Sequence, residues 1–144
     1  ATSALENLCQ VFEPLTNGRI ILVFGCVGGG RDKRKRPMMG EVAAKYADVV
    51  VLTNDDPYEE DSWEIISQIE KGMTDFPVEH LHKIVDRRQA LKFAIEMAQD
   101  DDTILVAGKG GEKVTIVNGE KLPFDEENIL EELISKREFQ DIQA

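Results

Sequence analysis

Apolar residues along the chain alternate between two rhythms. Leu5, Leu8, Val11 and Phe12 recur at helical spacing behind a Ser3-x-x-Glu6 pattern that reads as a capping box, and Asn17-Gly18 marks the expected end of this first helix. Four compact apolar runs follow, at residues 20–24, 49–52, 81–85 and 103–107, and the first, second and fourth are almost unbroken. Continuous aliphatic runs of this length suit strands that are covered on both faces, as in parallel sheets. Between them the period returns to 3.6, carried by Met39, Val42, Ala43 and Tyr46, then by Ile65, Ile66, Ile69 and Met73, then by Ala90, Leu91, Ala94, Ile95 and Ala98. Start signals agree with these periods. Pro37 suits a first turn, Asp61 with Glu64 forms a second capping box, and Asp86 can cap the third segment.

Strand and helix alternating in this way predict an α/β fold, a Rossmann-like three-layer αβα sandwich around a mostly parallel sheet. Residues 114–117 and 120–122 around Asn118-Gly119 predict a small C-terminal hairpin with a type I′ turn. A last helix is expected from Asp125 to about Lys136, with Ile129, Leu130, Leu133 and Ile134 facing inward and a polar, frayed tail after Arg137. The 144 residues, 42% of them hydrophobic, fit one domain with one real core.

Charge narrows the range of partners. The net charge is −11, from 17 Lys plus Arg against 28 Asp plus Glu, which disfavours a protein that must neutralise phosphates along a nucleic acid. No apolar stretch approaches membrane-spanning length. Cys9 and Cys26 are far apart and lack metal-ligand spacing, so reduced thiols and a cytoplasmic location are expected. The abrupt start at Ala1, on what reads as a helix start and without an initiator Met, suggests a processed, trimmed or excised domain.

In open α/β sheets ligands bind beyond the carboxyl ends of the strands, so three loops draw the chemistry. The first, Gly28-Gly-Gly-Arg-Asp-Lys33, leads into Arg34, Lys35 and Arg36 and offers backbone N–H groups and cations to a phosphate or carboxylate. It matches neither the Walker pattern nor G-x-G-x-x-G, and taken alone it suits tight-turn duty as well as ligand binding. Its three basic residues after Lys33 also fit a solvated face. The second loop, Thr53-Asn-Asp-Asp-Pro-Tyr-Glu-Glu-Asp61, is rich in carboxylates, of which Glu60 and Asp61 suit the negative start of a helix. The third is Gly108-Lys-Gly-Gly-Glu112. Together they would suit a zwitterionic ligand beside a phosphate. Trp63 is expected in the core or on a groove wall, His80 and His82 in structural roles, and Arg87 as a possible holder of a neighbouring carboxylate.

These loops, with their order and spacing, resemble the C-terminal domain of the Mur ligases, the ATP-dependent enzymes that add amino acids to the UDP-muramyl peptide. The closest branch is the one that adds the third residue. The resemblance rests on a helix like Ala4-Leu-Glu-Asn-Leu8, on G-R-D-K at Gly30 to Lys33 followed by K-R-P-M-x-G at Lys35 to Gly40, on an Asp-Asn-Pro-Arg-like Asp55-Asp-Pro-Tyr58, on Asp86-Arg87, and on Ala107 to Glu112. It spans nearly the whole chain. It implies a single Mur ligase C-terminal, amino-acid-binding domain over residues 1–144, with the UDP-binding and central ATPase domains absent from this sequence. In the reaction it implies, ATP activates a peptide carboxylate and the amine of the incoming amino acid displaces phosphate. Arg31 would bind the amino acid's α-carboxylate, while Asp55, Asp56, Tyr58, Gly108 and Glu112 would line the rest of the amino-acid site. Asp32 and Lys33 would lie toward the nucleotide phosphates, and ATP and Mg²⁺ would be held mainly by the absent central domain.

Three departures bear on selectivity: Tyr58 stands where diaminopimelate-adding enzymes carry Arg, Asp56 replaces Asn, and Gly111 replaces a usual His. Loss of the arginine fork removes bidentate capture of a distal carboxylate, which makes lysine or another diamine as plausible as diaminopimelate. The other readings are a folylpolyglutamate or cyanophycin-type ligase domain and a non-catalytic Rossmann-like module that binds an amino acid or nucleotide.

Overall fold

The computed structural model describes residues 2–30, 32–108, 114–118 and 120–143. The chain builds α1 (Thr2–Phe12), β1 (Ile20–Phe24), α2 (Lys35–Tyr46), β2 (Val49–Leu52), α3 (Ser62–Glu70), β3 (Leu81–Lys83), α4 (Arg87–Met97), β4 (Thr103–Val106), the hairpin strands β5 (Val114–Val117) and β6 (Glu120–Pro123), and α5 (Glu126–Gln143). β1 to β4 form one parallel sheet in the order β3-β2-β1-β4, with Ile21 opposite Val49 and Ile104. The Rossmann-like α/β expectation holds.

Strand side chains point alternately to opposite faces, and both faces here are apolar. Ile20, Leu22, Phe24, Val50 and Leu52 pack with Leu5 and Cys9 of α1, Met39, Val42 and Ala43 of α2, and Ile65, Ile66 and Ile69 of α3. Ile21, Val23, Val49 and Val51 pack with Ala90, Leu91, Ala94 and Ile95 of α4 and Leu133 of α5. All residues of β1 and β2 are buried, which is why their sequences carry no polar alternation. The chain runs outward from β1 to β2 and β3, then returns through α4 on the other face to place β4 beside β1. This reversal opens a crevice at the carboxyl ends of β1 and β4.

Caps behave as expected at two helices: the Asp61 carboxylate accepts from Trp63 N, and that of Asp86 from Gln89 N. Three expectations change. α1 starts at Thr2, so Ser3 lies inside its first turn and is not the cap; Phe12 ends the helix, and a 3₁₀ turn with Pro14 follows, because proline has no N–H to continue the ladder. α5 continues to Gln143, past the expected stop at Lys136. Residues 126–143 hold no Gly or Pro, and Arg137 donates to Ile95 O on α4. Trp63 is 53% exposed on the first turn of α3 and belongs to neither core nor groove.

The hairpin pairs antiparallel as read, and Asn118 has the left-handed φ of 51° that a type I′ turn requires. It does not extend the main sheet. Val117 forms a bridge with Tyr58, so the hairpin leans on the loop after β2.

Candidate functional site

The loops after β1, β2 and β4 meet at one sheet edge. The β1–α2 loop lies directly on the β2–α3 loop, and Gly28 makes this possible: a Cβ there would sit 2.1 Å from Pro57 O. Gly28 N donates to Asp56 O at 3.0 Å, and Gly30 N donates to Glu60 Oε1 at 3.4 Å. Those two amides are thus turned inward onto protein acceptors. At Gly28 the turn is built for close backbone approach, while Gly30, where a Cβ would meet open space, serves a left-handed φ of 85°, the structural alternative of the sequence reading.

Of the basic run, Arg36 overturns the expectation of a solvated face. It is 1% exposed, and its guanidinium donates to both oxygens of Glu60 (3.0 and 3.1 Å), to Gln68 Oε1 (2.7 Å) and to Val27 O (3.2 Å). This buried fork ties the start of α2 back under its own preceding loop and across to α3. Glu60 is therefore more than a helix-start charge, and the Arg36 hydrogen bonds hold its carboxyl below the usual carboxylate range. Lys33 Nζ lies 3.9 Å from Glu60 Oε2. Asp32 is exposed and hydrogen-bonds Arg34, which lowers its pKa.

The β2–α3 loop is tightly held. Asp55 and Asp56 are buried, and both Asp56 (φ 45°) and Tyr58 (φ 56°) adopt left-handed backbone. Asp56 Oδ1 accepts from Ile116 N at 3.0 Å, Tyr58 N donates to Ile116 O at 3.1 Å, and Asn118 N donates to Tyr58 O. Asp56 is thereby a strap between this loop and the hairpin.

After β4, Gly108 has a φ of 119°, and a Cβ there would come 2.7 Å from Asp55 Oδ2. The two loops approach closely around the buried Arg87. Its Nη1 donates to Asn54 O and its Nη2 to Ala107 O, each at 2.9 Å, and its Nε pairs with Glu126 Oε1 at 2.6 Å. Arg87 does hold a neighbouring carboxylate, as the sequence suggested, and also bridges two strand ends. A cavity of about 510 Å³ opens beside these loops, with Gly25, Val27, Asp32, Lys35, Asp55 and Gly108 among its lining.

Of the expected site residues, Asp32, Lys33, Asp55, Asp56, Tyr58 and Gly108 stand on these loops; Arg31 and Glu112 lie outside the described residues, as does Lys109. Arg36, Glu60 and Glu126 escaped the sequence reading as members of the site's framework. Near the cavity wall, Cys26 is buried, and desolvation raises its thiol pKa to about 12, so it is an inert apolar contact and not a nucleophile. His82 packs its ring on Phe93 at 4.5 Å, consistent with a structural role.

No group of three or more His, Cys, Asp or Glu among the described residues is arranged to hold a metal ion. No described helix is long and apolar enough to cross a membrane.

Fold and site together define an α/β domain that presents paired carboxylates, cations and a glycine bend at the switch point of a parallel sheet. The family model described as "Mur ligase, glutamate ligase domain" matches residues 1–110, and the chain belongs to that family. It is 46% identical over 134 residues to the UDP-N-acetylmuramoyl-L-alanyl-D-glutamate--2,6-diaminopimelate ligase of Caldanaerobacter subterraneus subsp. tengcongensis, covering 93% of this chain and 27% of that protein. The ligase of the same name from Clostridioides difficile is 42% identical over 133 residues, covering 92% and 27%. A solved structure, "Structure of UDP-N-acetylmuramoyl-L-alanyl-D-glutamate--2, 6-diaminopimelate ligase", superposes with a TM-score of 0.88 at 36% identity, over 96% of this chain and 28% of the other. The chain spans about a quarter of the length of these relatives. Their names favour the peptidoglycan branch over folylpolyglutamate or cyanophycin-type ligases and over a non-catalytic module.

Proposed function

We propose that this chain is the amino-acid-binding domain of an ATP-dependent ligase that adds the third residue, diaminopimelate, lysine or a similar diamine, to UDP-N-acetylmuramyl-dipeptide in cytoplasmic peptidoglycan synthesis. The supporting observation is the convergence of the Asp55 and Gly108 loops on one crevice at the carboxyl edge of the sheet, held by Arg87 from below. In this reading Arg31 receives the α-carboxylate of the incoming amino acid. Asp55, Asp56, Tyr58, Gly108 and Glu112 set the distal end. Asp32 and Lys33 face the nucleotide phosphates, while ATP and Mg²⁺ are bound mainly by the central ATPase domain of the full-length chain, where activation of the peptide carboxylate takes place. This domain contributes positioning and charge neutralisation, which such an acyl transfer needs more than a covalent nucleophile.

An isolated domain holding half the site binds its amino acid weakly, at about millimolar Kd or roughly 4 kcal/mol, and ligates nothing alone. At the distal end, Tyr58 offers no fork to a carboxylate. Asp56 already accepts from Ile116 N, so discrimination between an ammonium and a carboxylate falls chiefly to the remaining acidic groups and Tyr58. The test is ligation by the full-length enzyme with UDP-N-acetylmuramyl-dipeptide, comparing diaminopimelate with lysine in the parent and in Tyr58→Arg. The expected result is better relative use of diaminopimelate by the variant; an unchanged ratio removes Tyr58 from the selectivity argument, and no turnover of either amino acid by the parent overturns the reading.

A further inference from the structure

We propose that Arg87, paired with Glu126, is the positioning residue that sets the spacing between the Asp55 and Gly108 walls of the amino-acid site; this rests on the ligase reading above. Three observations carry it. The guanidinium is 4% exposed and bonds the carbonyls immediately preceding the two wall residues, Asn54 O before Asp55 and Ala107 O before Gly108, at 2.9 Å each. Those carbonyls lie in the loops just past β2 and β4, the two strands that flank β1, so one rigid, planar side chain ties together the loops on either side of the carboxyl end of β1. The gap it holds has little tolerance, because a Cβ on Gly108 would lie 2.7 Å from Asp55 Oδ2 and 3.6 Å from Arg87 Nη2.

Glu126 completes the device. At the first residue of α5 its carboxylate is 6% exposed and takes Arg87 Nε at 2.6 Å, fixing the rotation of the guanidinium plane so that both Nη groups face the loops. A lysine in this place carries the charge but presents no fork. Its three donors share one nitrogen on a flexible stem, so it cannot reproduce the separate Nη1 and Nη2 contacts that hold the two carbonyls at one separation while Nε takes Glu126. Arg87 touches no reacting atom in this scheme. Its effect passes through the loop backbone to the amino acid alone, since the binding of ATP and of the UDP-linked substrate belongs mainly to other domains.

The experiment uses the full-length ligase, with KM measured separately for the amino acid, ATP and UDP-N-acetylmuramyl-dipeptide in the parent, Arg87→Lys and Glu126→Asp. Displacement of a binding group by about an ångström is enough for a rate or affinity effect on the order of tenfold to a hundredfold. Arg87→Lys is therefore expected to raise the amino-acid KM by at least about tenfold, with the other two KM values within about twofold of the parent. Glu126→Asp, which shortens the brace and keeps the guanidinium, is expected to raise it by about threefold, and it carries the test if Arg87→Lys does not fold. An amino-acid KM unchanged in a folded variant, or all three KM values rising in parallel with a fall in Tm, overturns the positioning role while the ligase reading stands. A parent enzyme with no amino-acid-dependent turnover overturns both.

Discussion

Replacing Arg36 by methionine measures what the buried fork beneath the β1–α2 loop contributes to stability. The side chain is 1% exposed and makes four hydrogen bonds, two to Glu60 and one each to Gln68 and Val27 O. Removing one partner of a fully buried pair costs about 3–5 kcal/mol, because the other charge is left without compensation. Two features reduce that figure here. The Glu60 side chain is 20% exposed and can take up water, and Lys33 Nζ stays within 3.9 Å of it. Methionine also recovers part of the apolar stem packing. The expected loss is about 3 kcal/mol, and Glu60→Gln, which keeps an acceptor for Gly30 N but leaves the buried Arg36 cation without a counter-charge, is expected to lose a comparable amount. In urea denaturation followed by circular dichroism, with a slope of about 2 kcal/mol/M for a domain of this size, Arg36→Met shifts the midpoint down by about 1.5 M. The double variant should lose less than the sum of the singles, since neither member of the pair is then left as an unpaired charge. A shift below about 0.5 M for Arg36→Met refutes the reasoning: the fork would then be balanced by its own desolvation and could not be what pins the loop.

Two further expectations concern other parts of the fold. Asp102 accepts from the Arg19 side chain and from the backbone N–H groups of Arg19 and Gln99, and the Arg19 hydrogen bonds lead in lowering its pKa from 3.8 to about 2. Because the folded pKa is the lower one, this stability, about 2 kcal/mol, is fully present above the unfolded value and is lost as pH falls through roughly 4 toward 2. Asp102→Asn should be less stable than the parent at pH 7 and should converge with it near pH 2 in urea titrations; a gap that is constant with pH counts against the assignment. Gly28→Ala places a Cβ 2.1 Å from Pro57 O, so the loops after β1 and β2 must part. The expected loss is about 2–3 kcal/mol, with altered amide shifts at both loops in NMR spectra, and a variant as stable as the parent would show that the loops separate freely.

The sheet was legible because β1 and β2 are apolar on both faces and carry little else, and the helices between them keep an unbroken 3.6 period. Helix ends were less legible. Ser3 and Glu6 match a capping box by spacing alone, yet the residue before them already has helical backbone, and no local pattern says that α5 continues once Arg137 finds a carbonyl on α4. At the site, the three loops singled out in the sequence do meet at one sheet edge, but which of their side chains face inward was not legible. Arg36 and Lys33 are indistinguishable by composition, and only the packing of α2 on α3 and of the β1–α2 loop on the β2–α3 loop decides that one is buried on Glu60 and the other is exposed. The reach of Arg87 to two carbonyls depends on β2 and β4 flanking β1, a relation between residues more than fifty positions apart that no motif encodes.

The central position of β1 has a consequence for how the chain is made. Its partner β2 follows within thirty residues, but its other edge waits for β4, where Ile20 pairs with Thr103. During synthesis some eighty residues must emerge before the most apolar strand of the domain is covered on that side. Until then Ile20 to Phe24 present an open edge to solvent and to neighbouring chains, the kind of intermediate that chaperones recognise and that aggregates when they are scarce. Any truncation that ends before residue 106 freezes the chain in that state, so a minimal folding unit of this domain has to include β4 even though the hairpin beyond it lies outside the sheet.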